Sequence, residues 1–284
     1  MSVGVEAMPA RSRVRGPAAI SGDLRRFIAL TTTLAVMEFK LRFFGSALGY
    51  FWQLVRPLLL FGVLYVVFTE FVRFNAGVDY FPAVLLTGIV LFTFFSDATS
   101  GAVTSVVDRE NLVRKIEFPR LVVPLSVVLT ASFNLGLNLL AVMVFVLATG
   151  VDPQLSWLLL PFVLIALVAL ATGMAMLLSA LYPRFRDVKP IWEVALQVLF
   201  YGSPILYAIE VIPNENVREA LLLSPLAAIL QQTRHWLIDP DAPSAATAIG
   251  GEARLLVPAG IVLAALGIGF WVFAREAPRI AEEL

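Results

Sequence analysis

Cysteine is absent from the 284 residues and histidine occurs once. Without cysteine the chain has no disulfide framework, no thiolate nucleophile and no cysteine ligands for zinc. The single histidine, His235, excludes a metal site built from several histidines, and we interpret it as a residue at the outer membrane interface. We therefore expect neither a metal site nor a catalytic residue in this chain.

Charged residues are also scarce: they make up 15% of the sequence, against about 25% in soluble domains. Residues 121–151 and 153–183 contain no Asp, Glu, Lys or Arg. Since about 20 helical residues cross the hydrocarbon layer, each run is long enough to span a membrane. Neither run alternates polar and apolar residues, which excludes barrel strands. The sequence predicts an all-α polytopic membrane protein and not a soluble enzyme.

Six transmembrane helices are expected from the apolar stretches. Their approximate bounds are 50–71, 81–107, 121–149, 157–182, a fifth span that begins near Pro190, and 255–273. Between the last two, the uncharged stretches are short and broken by Pro204 and Pro225. Such stretches are typical of re-entrant or interfacial segments. We therefore predict a bent, partly re-entrant structure over residues 203–238 on the outer side.

The N-terminal part differs from the spans. Residues 1–22 are polar and rich in small residues, and we expect a disordered cytoplasmic tail. Over residues 23–44, apolar side chains recur three and four positions apart and form the stripe Phe27, Leu30, Leu34, Met37, Leu41 and Phe44. This pattern predicts an amphipathic helix at the membrane surface, with a helix packed on protein as the alternative. Residues 45–275 would form the transmembrane domain and 276–284 a cytoplasmic tail.

The basic residues are distributed unevenly between the two sides of this six-span arrangement. Sixteen of the 21 fall in segments on the same side as both termini. The opposite side holds Arg73, Arg218, Arg234 and Arg254. The positive-inside rule then predicts a multi-pass protein of the cytoplasmic membrane with both termini in the cytoplasm. The C-terminal tail also carries three glutamates, so charge alone leaves a seventh span open.

Five short motifs occur along the chain in a fixed order. They are Phe39–Trp52 with Arg56-Pro57, Glu110–Arg120, Arg184–Asp187, Ser203–Tyr207, and Ser224-Pro225 followed by Arg234. Together they resemble the permeases of type 2 ABC exporters of the polysaccharide and polyol-phosphate group, over about residues 38–275. Where that family usually has asparagine-proline, this chain has Ser224-Pro225.

The resemblance implies a homodimer of six-span subunits, each seated on a separate ATP-binding subunit, that exports a lipid-linked polysaccharide such as O-antigen or a polymer such as teichoic acid. The coupling segment that docks on the ATPase would include Arg109, Glu110, Asn111, Leu112, Arg114, Lys115 and Phe118. Arg184, Arg186 and Asp187 would lie at the inner mouth of the path. No nucleic acid partner is implied.

The chain has no glycine-rich phosphate loop of its own. Such a loop requires Gly-Lys followed by Ser or Thr, whereas Lys40, Lys115 and Lys189 follow Phe, Arg and Val. We therefore expect no bound cofactor here, with ATP and Mg²⁺ on the partner subunit.

A path for sugars through lipid requires side chains that contact sugar C–H surfaces without binding tightly. Aromatic rings do this, and Asp97 is an intramembrane carboxylate of the kind that usually faces a watery cavity. The candidates for the path are Phe92, Phe94, Phe95, Asp97, Trp192, Tyr201 and Tyr207. An aromatic residue in a span also often faces lipid or a neighbouring helix, and a structural role for Asp97 is an equal alternative.

Two other functions remain open from the sequence. One is a drug or lipid exporter of the same superfamily. The other is a membrane transferase acting on polyprenyl phosphates, which needs clustered acidic residues. The acidic residues predicted on the cytoplasmic side are scattered along this chain, which disfavours the transferase.

Overall fold

The computed structural model describes residues 24–43, 49–71, 80–110 and 119–283. These ranges contain ten α-helices. They are α1 (Leu24–Phe43), α2 (Gly49–Val66), α3 (Phe81–Asp108), α4 (Val122–Ala148), α5 (Leu160–Leu181), α6 (Val188–Gly202), α7 (Glu215–Leu222), α8 (Pro225–Leu237), α9 (Ala245–Ala248) and α10 (Leu256–Glu283). A π-helical turn, Val67–Phe71, extends α2, and 3-10 turns precede α5 and α10.

Within the described ranges there is no strand, and the predicted all-α membrane fold is confirmed. Five helical stretches there are long and apolar enough to cross a membrane: 51–71, 81–108, 122–148, 155–181 and 252–278. The predicted fifth span corresponds to α6, whose 15 residues extend about 22 Å at 1.5 Å per residue. Since that is shorter than the hydrocarbon layer, a total of six spans stays a prediction.

The central helix of the bundle is α3, which packs against α2, α4, α5, α6 and α8. Its buried side chains include Leu85, Ile89, Leu91, Phe94 and Phe95. Small residues let two neighbours approach closely: a β-carbon on Gly88 would lie 3.2 Å from Ile205, and one on Gly101 would lie 3.0 Å from Val127. In contrast, α2 exposes most of its surface, including Leu59 and Val63.

The helices connect in antiparallel order, which defines two ends of the bundle. The end of α3, the start of α4 and the turn from α5 to α6 form what we name the arginine-rich end, with Arg109, Arg120, Arg184 and Arg186. The far end holds the start of α3, the start of α5 and helices α7 to α9. Helix α10 runs from the far end to the arginine-rich end, where Phe273 and Ala277 are fully buried. It continues as a helix through the predicted C-terminal tail to Glu283.

Helix α1 lies at the arginine-rich end and packs on the bundle with the first part of its apolar stripe. Phe27, Leu30 and Leu34, from the predicted stripe, pack against the protein, and Ala35 is fully buried. Further along the same stripe, Met37 and Leu41 are exposed, as are Ile28 and Val36 outside it. The single predicted stripe is therefore divided along its length: its first part packs on protein and its last part is exposed, and its contact with the membrane stays a prediction. The predicted tail, residues 1–22, lies outside the described residues.

Residues 203–238 form a folded cap at the far end. Ser203–Ala208 is not helical and is mostly buried against α3, and α7 and α8 follow with 8 and 13 residues. The Ser156 hydroxyl donates to the carbonyl of Trp236 at 2.7 Å, and the Trp157 indole N–H donates to the carbonyl of Leu237 at 3.0 Å. These bonds attach α8 to the start of α5. The segment is bent as predicted, and its re-entry into the membrane stays a prediction.

Helices α5 and α10 cross at a pair of glycines. A β-carbon on Gly173 would lie 2.5 Å from the carbonyl carbon of Ala265, and one on Gly269 would lie 2.2 Å from the carbonyl oxygen of Gly173. Real β-carbons do not approach backbone atoms so closely, so this crossing requires glycine on both helices. Such small-residue crossings are a common way for membrane helices to pack without a hydrophobic driving force.

We predict that Gly173→Ala lowers the thermal unfolding midpoint in detergent, because the added methyl group forces α5 and α10 apart. Overpacking of this kind typically costs about 1–3 kcal/mol. The matched control is Gly136→Ala in α4, where a β-carbon meets nothing within 4 Å. Both changes raise the helix propensity by the same amount. The difference between the two unfolding midpoints therefore reports the packing at the crossing of α5 and α10. Equal midpoints for the two variants would contradict this packing.

Candidate functional site

A groove with a volume of about 650 Å³ lies between α2, α3 and α6. Its lining is Arg56, Pro57 and Leu60 from α2, then Phe92, Thr93, Ser96, Asp97 and Ser100 from α3, then Glu193, Leu196, Gln197, Phe200 and Tyr201 from α6. Charged groups, hydroxyls, an amide and aromatic rings therefore face one space in the middle of an apolar bundle. That combination suits a hydrated, hydroxyl-rich ligand better than a purely apolar one.

The aromatic side of the groove is built by contacts between α3 and α6. The rings of Phe92 and Phe200 meet edge to face, with centroids 5.0 Å apart. Phe200 meets Tyr201 in the same manner at 5.3 Å. Edge-to-face pairs hold aromatic rings in fixed orientations, and Tyr201 is still 67% exposed. Two of the predicted path residues, Phe92 and Tyr201, thus lie on this groove together with the predicted Asp97.

Phe95 and Trp192 lie behind the groove instead of lining it. Phe95 is 2% exposed and Trp192 is 9% exposed. Their rings meet at 6.2 Å, and the Trp192 indole N–H donates to the hydroxyl of Thr99 at 3.0 Å. Because that buried donor is satisfied within the protein, Trp192 fixes α6 against α3. The predicted Phe94 likewise faces a different, smaller cavity.

This smaller cavity, of about 20 Å³, lies between α2, α3 and α4. Arg56, Thr93 and Asp97 line both it and the groove, so these side chains form a shared wall. On the α4 side the cavity is lined by Asn134 and Asn138. The Asn138 side-chain N–H donates to the carbonyl of Asn134 at 2.9 Å. A polar layer therefore continues from the groove into the bundle.

Towards the far end, the groove gives way to a closely packed layer that contains Tyr207. Tyr207 lines a cavity of only about 10 Å³ together with Thr87, Gly88, Gln231 and Arg234. Arg234 is 7% exposed and pairs with Glu210 at 2.8 Å and with Asp239 at 3.2 Å. These ion pairs connect α8 with the 3-10 turn before α7 and with the turn that follows α8. In this structure the cap therefore closes the bundle at the far end, and Tyr207 belongs to the cap and not to the groove.

At the arginine-rich end, Arg109 forms an ion pair with Glu38 of α1. Their side chains are 22% and 15% exposed, so the pair is largely shielded from solvent. The hydroxyl of Ser126 also donates to Glu38, at 3.3 Å, and that of Thr130 donates to the carbonyl of Ala35 at 3.2 Å. These contacts connect α1 with the ends of α3 and α4 that border residues 111–118.

The structure describes two of the seven predicted coupling residues. Arg109 and Glu110 end the α3 segment, whereas Asn111, Leu112, Arg114, Lys115 and Phe118 lie outside the described residues. Just after that stretch, the side chain of Arg120 is 2% exposed, and this burial lowers the pKa of its guanidinium. The sequence indicated Arg120 only as the end of the Glu110–Arg120 motif and as a basic residue on the cytoplasmic side, so its burial was not predicted.

The predicted inner-mouth residues form the exposed turn between α5 and α6. Arg184 lies over the ring of Phe185 at 5.2 Å, and Arg186 lies over the ring of Tyr182 at 5.0 Å. Asp187 precedes the first residue of α6. The turn therefore presents two arginines to solvent at the same end of the bundle as Arg109.

We predict that Glu38 and Arg109 stabilise each other measurably. A double-mutant cycle with Glu38→Gln and Arg109→Gln should give a coupling free energy of about 1–2 kcal/mol, since the pair is partly desolvated. The control cycle uses Glu215 and Arg218, which lie 3.5 Å apart with the glutamate 81% exposed. Exposed pairs typically give at most about 0.5 kcal/mol. Equal coupling in the two cycles would contradict the assignment.

Of the lining residues, sequence reasoning named only Phe92, Asp97 and Tyr201 as path residues, and those it missed include Arg56, Glu193, Gln197 and Phe200. Arg56 was assigned to a span boundary, and Glu193 was counted among scattered acidic residues. The missed signal was spacing, because Glu193, Gln197 and Phe200 are three and four residues apart and share one face of α6. In the described part of the chain, no three His, Asp or Glu residues are grouped so that they could hold a metal ion.

Comparison with known proteins gives consistent results. Residues 29–237 match the family described as ABC-2 type transporter. An O-antigen export system permease protein of Myxococcus xanthus is 30% identical over 73% of this chain and 80% of its own length. One of Klebsiella pneumoniae is 27% identical over 90% and 95%. A polysialic acid transport protein of Escherichia coli is 24% identical over 71% and 78%.

Proposed function

Since the chain belongs to the ABC-2 type transporter family, we propose that it is the permease subunit of an ATP-driven exporter. The cargo would be a lipid-linked polysaccharide or polyol-phosphate polymer that crosses the cytoplasmic membrane. The relatives named as O-antigen and polysialic acid exporters support a polymer over a drug or a simple lipid. The observation that carries the proposal is the groove between α2, α3 and α6.

The groove has the chemistry that sugar transport requires. Hydroxyls, an amide and carboxylates replace the water that leaves the sugar hydroxyls, and Phe92, Phe200 and Tyr201 offer flat apolar faces. No single group there would bind a neutral sugar tightly, so the polymer would be able to move along the groove. Arg184 and Arg186 lie in the turn that leads into α6, where a polymer from the cytoplasm would enter.

An ATPase subunit would dock at the arginine-rich end. The segment 111–118 connects α3 to α4 there, and the Glu38–Arg109 ion pair links its start to α1. A displacement of this segment by the ATPase would therefore move both α1 and α3, and α3 forms one wall of the groove. ATP and Mg²⁺ would be bound by the ATPase, and this chain would carry no catalytic residue.

A second copy of the chain would complete the path. In the single chain, α2 exposes Leu59 and Val63, and α6 exposes Ile191, Val194, Val198 and Tyr201. These two helices flank the groove, whose third wall is α3. A homodimer with α2 and α6 at its interface would bury these apolar surfaces and close the groove into a channel. Both termini would then face the cytoplasm, in accordance with the bias of basic residues.

We predict that Ser100→Trp abolishes polymer export while the ATPase still co-purifies, because the indole fills the groove without altering the arginine-rich end. Export is measured as the polymer that reaches the cell surface, with lipid-linked polymer accumulating inside. The control is Leu140→Trp, since Leu140 is 66% exposed on α4 outside the groove. We expect it to export normally.

Two results would contradict the proposal. If no ATPase co-purifies with the solubilised chain, the ATP-driven mechanism fails. If Ser100→Trp exports as well as Leu140→Trp, the groove is not the path.

A further inference from the structure

The charges on the groove restrict the class of polymer that fits it. Among the described residues that line it, Arg56 carries a positive charge, and Asp97 and Glu193 carry negative charges. The formal net charge of the lining is therefore −1. A homodimer built with this groove in both subunits would double that value.

The two carboxylates of the lining lie on different helices. Arg56 lines the wall shared with the smaller cavity, and Asp97 lines the same wall. Glu193 lies on α6, which contributes nothing to the smaller cavity. A chain that passes between α3 and α6 would meet a carboxylate on each helix.

A carboxylate attracts the hydroxyl groups of a neutral polymer and repels the anionic groups of an acidic one. A carboxylate accepts hydrogen bonds from sugar hydroxyls, and charge-assisted bonds of this kind are stronger than neutral ones. It repels phosphodiester or carboxylate groups, and the apolar walls of a hydrated groove strengthen this repulsion relative to open water. Specificity often rests on such a repulsive element as much as on attraction.

We propose that the exported polymer is an uncharged glycan, and that Asp97 and Glu193 exclude polymers with an anionic repeating unit. The inference rests on the proposed function and narrows it, because polysaccharide and polyol phosphate are both compatible with the family. It concerns the repeating units that pass through the groove and not the lipid carrier. Aromatic faces at Phe92, Phe200 and Tyr201 then complete a lining for neutral sugars.

The test captures polymer probes in the groove of the intact permease–ATPase complex. A photoreactive phenylalanine replaces Tyr201, and the control position is Phe162, which is 66% exposed on α5 away from the groove. The probes are a fluorescent neutral glucan oligosaccharide and a fluorescent glycerol-phosphate oligomer of equal length. We expect the glucan to be captured at position 201 at least about tenfold more than the glycerol phosphate, a difference of about 1.4 kcal/mol.

Charge variants distinguish exclusion by charge from exclusion by shape. Asp97→Asn with Glu193→Gln changes the lining from −1 to +1, and we expect it to reverse the order of capture. Glu193→Gln alone, at an exposed position of α6, should fold normally and give an intermediate ratio. Raising the salt concentration should reduce the discrimination of the wild type.

The outcomes separate this inference from the proposed function. Equal capture of both probes at position 201, or a ratio that the charge variants leave unchanged, would overturn the inference while the groove remains the path. Capture of neither probe above the level at Phe162 would overturn the groove as the path, and the inference with it.

Discussion

The structure depends on one constraint at α3: this helix must bury apolar side chains on most of its surface while it keeps a carboxylate and several hydroxyls in the membrane interior. Lipid offers no hydrogen bonds, so polar groups at that depth must face other polar groups or a watery space. Thr93, Ser96, Asp97 and Ser100 meet this requirement by facing the groove. The remaining surface of α3 packs against α4 and α5, helped by Gly101. The position of the groove follows from this division.

The same helix connects the groove with the end where an ATPase would act. Near its middle, α3 forms the groove wall. At the arginine-rich end, Arg109 pairs with Glu38 of α1. Because α3 is packed on most of its sides, we expect a displacement at this end to move it as a rigid unit instead of bending it. At the far end, the Arg234 ion pairs hold the cap over the bundle. If the groove is the export path, the cap or its contacts with α3 must therefore change during export.

Hydrophobic runs predicted the helices well because span length is set by the thickness of the membrane. The expected span 121–149 is the helix Val122–Ala148, and 81–107 is Phe81–Asp108. The last helix extends about ten residues beyond the predicted 255–273, because charged residues end an apolar run without ending a helix. Residues 203–238 were predicted to be bent, but the contacts of α8 with the start of α5 depend on long-range packing that no local pattern carries.

The groove itself was only partly predictable. At 3.6 residues per turn, Phe92, Thr93, Ser96, Asp97 and Ser100 occupy an arc of about 140° on α3, and Phe95 lies about 60° outside it. That arc can be read from the sequence, so Phe95 could have been assigned to a different face of α3 from Phe92. The rotation of α6 about its axis cannot be read from the sequence. No local pattern shows that Trp192 faces Thr99 and that Glu193 and Gln197 therefore face the groove. Helix rotation is set by packing, and so Arg56 of α2 and Glu193, Gln197 and Phe200 of α6 were recognised as lining residues only in the fold.

The central claim, that the groove between α2, α3 and α6 is a hydrated path, is tested most directly by thiol labelling. The natural absence of cysteine means that each introduced cysteine is the only one in the chain. In proteoliposomes of the permease–ATPase complex, a water-soluble maleimide should label Ser100→Cys and Gln197→Cys at least about tenfold faster than Val144→Cys and Phe162→Cys, since thiolates form only in contact with water. Labelling of the groove cysteines as slow as that of the two exposed positions outside it would contradict the account.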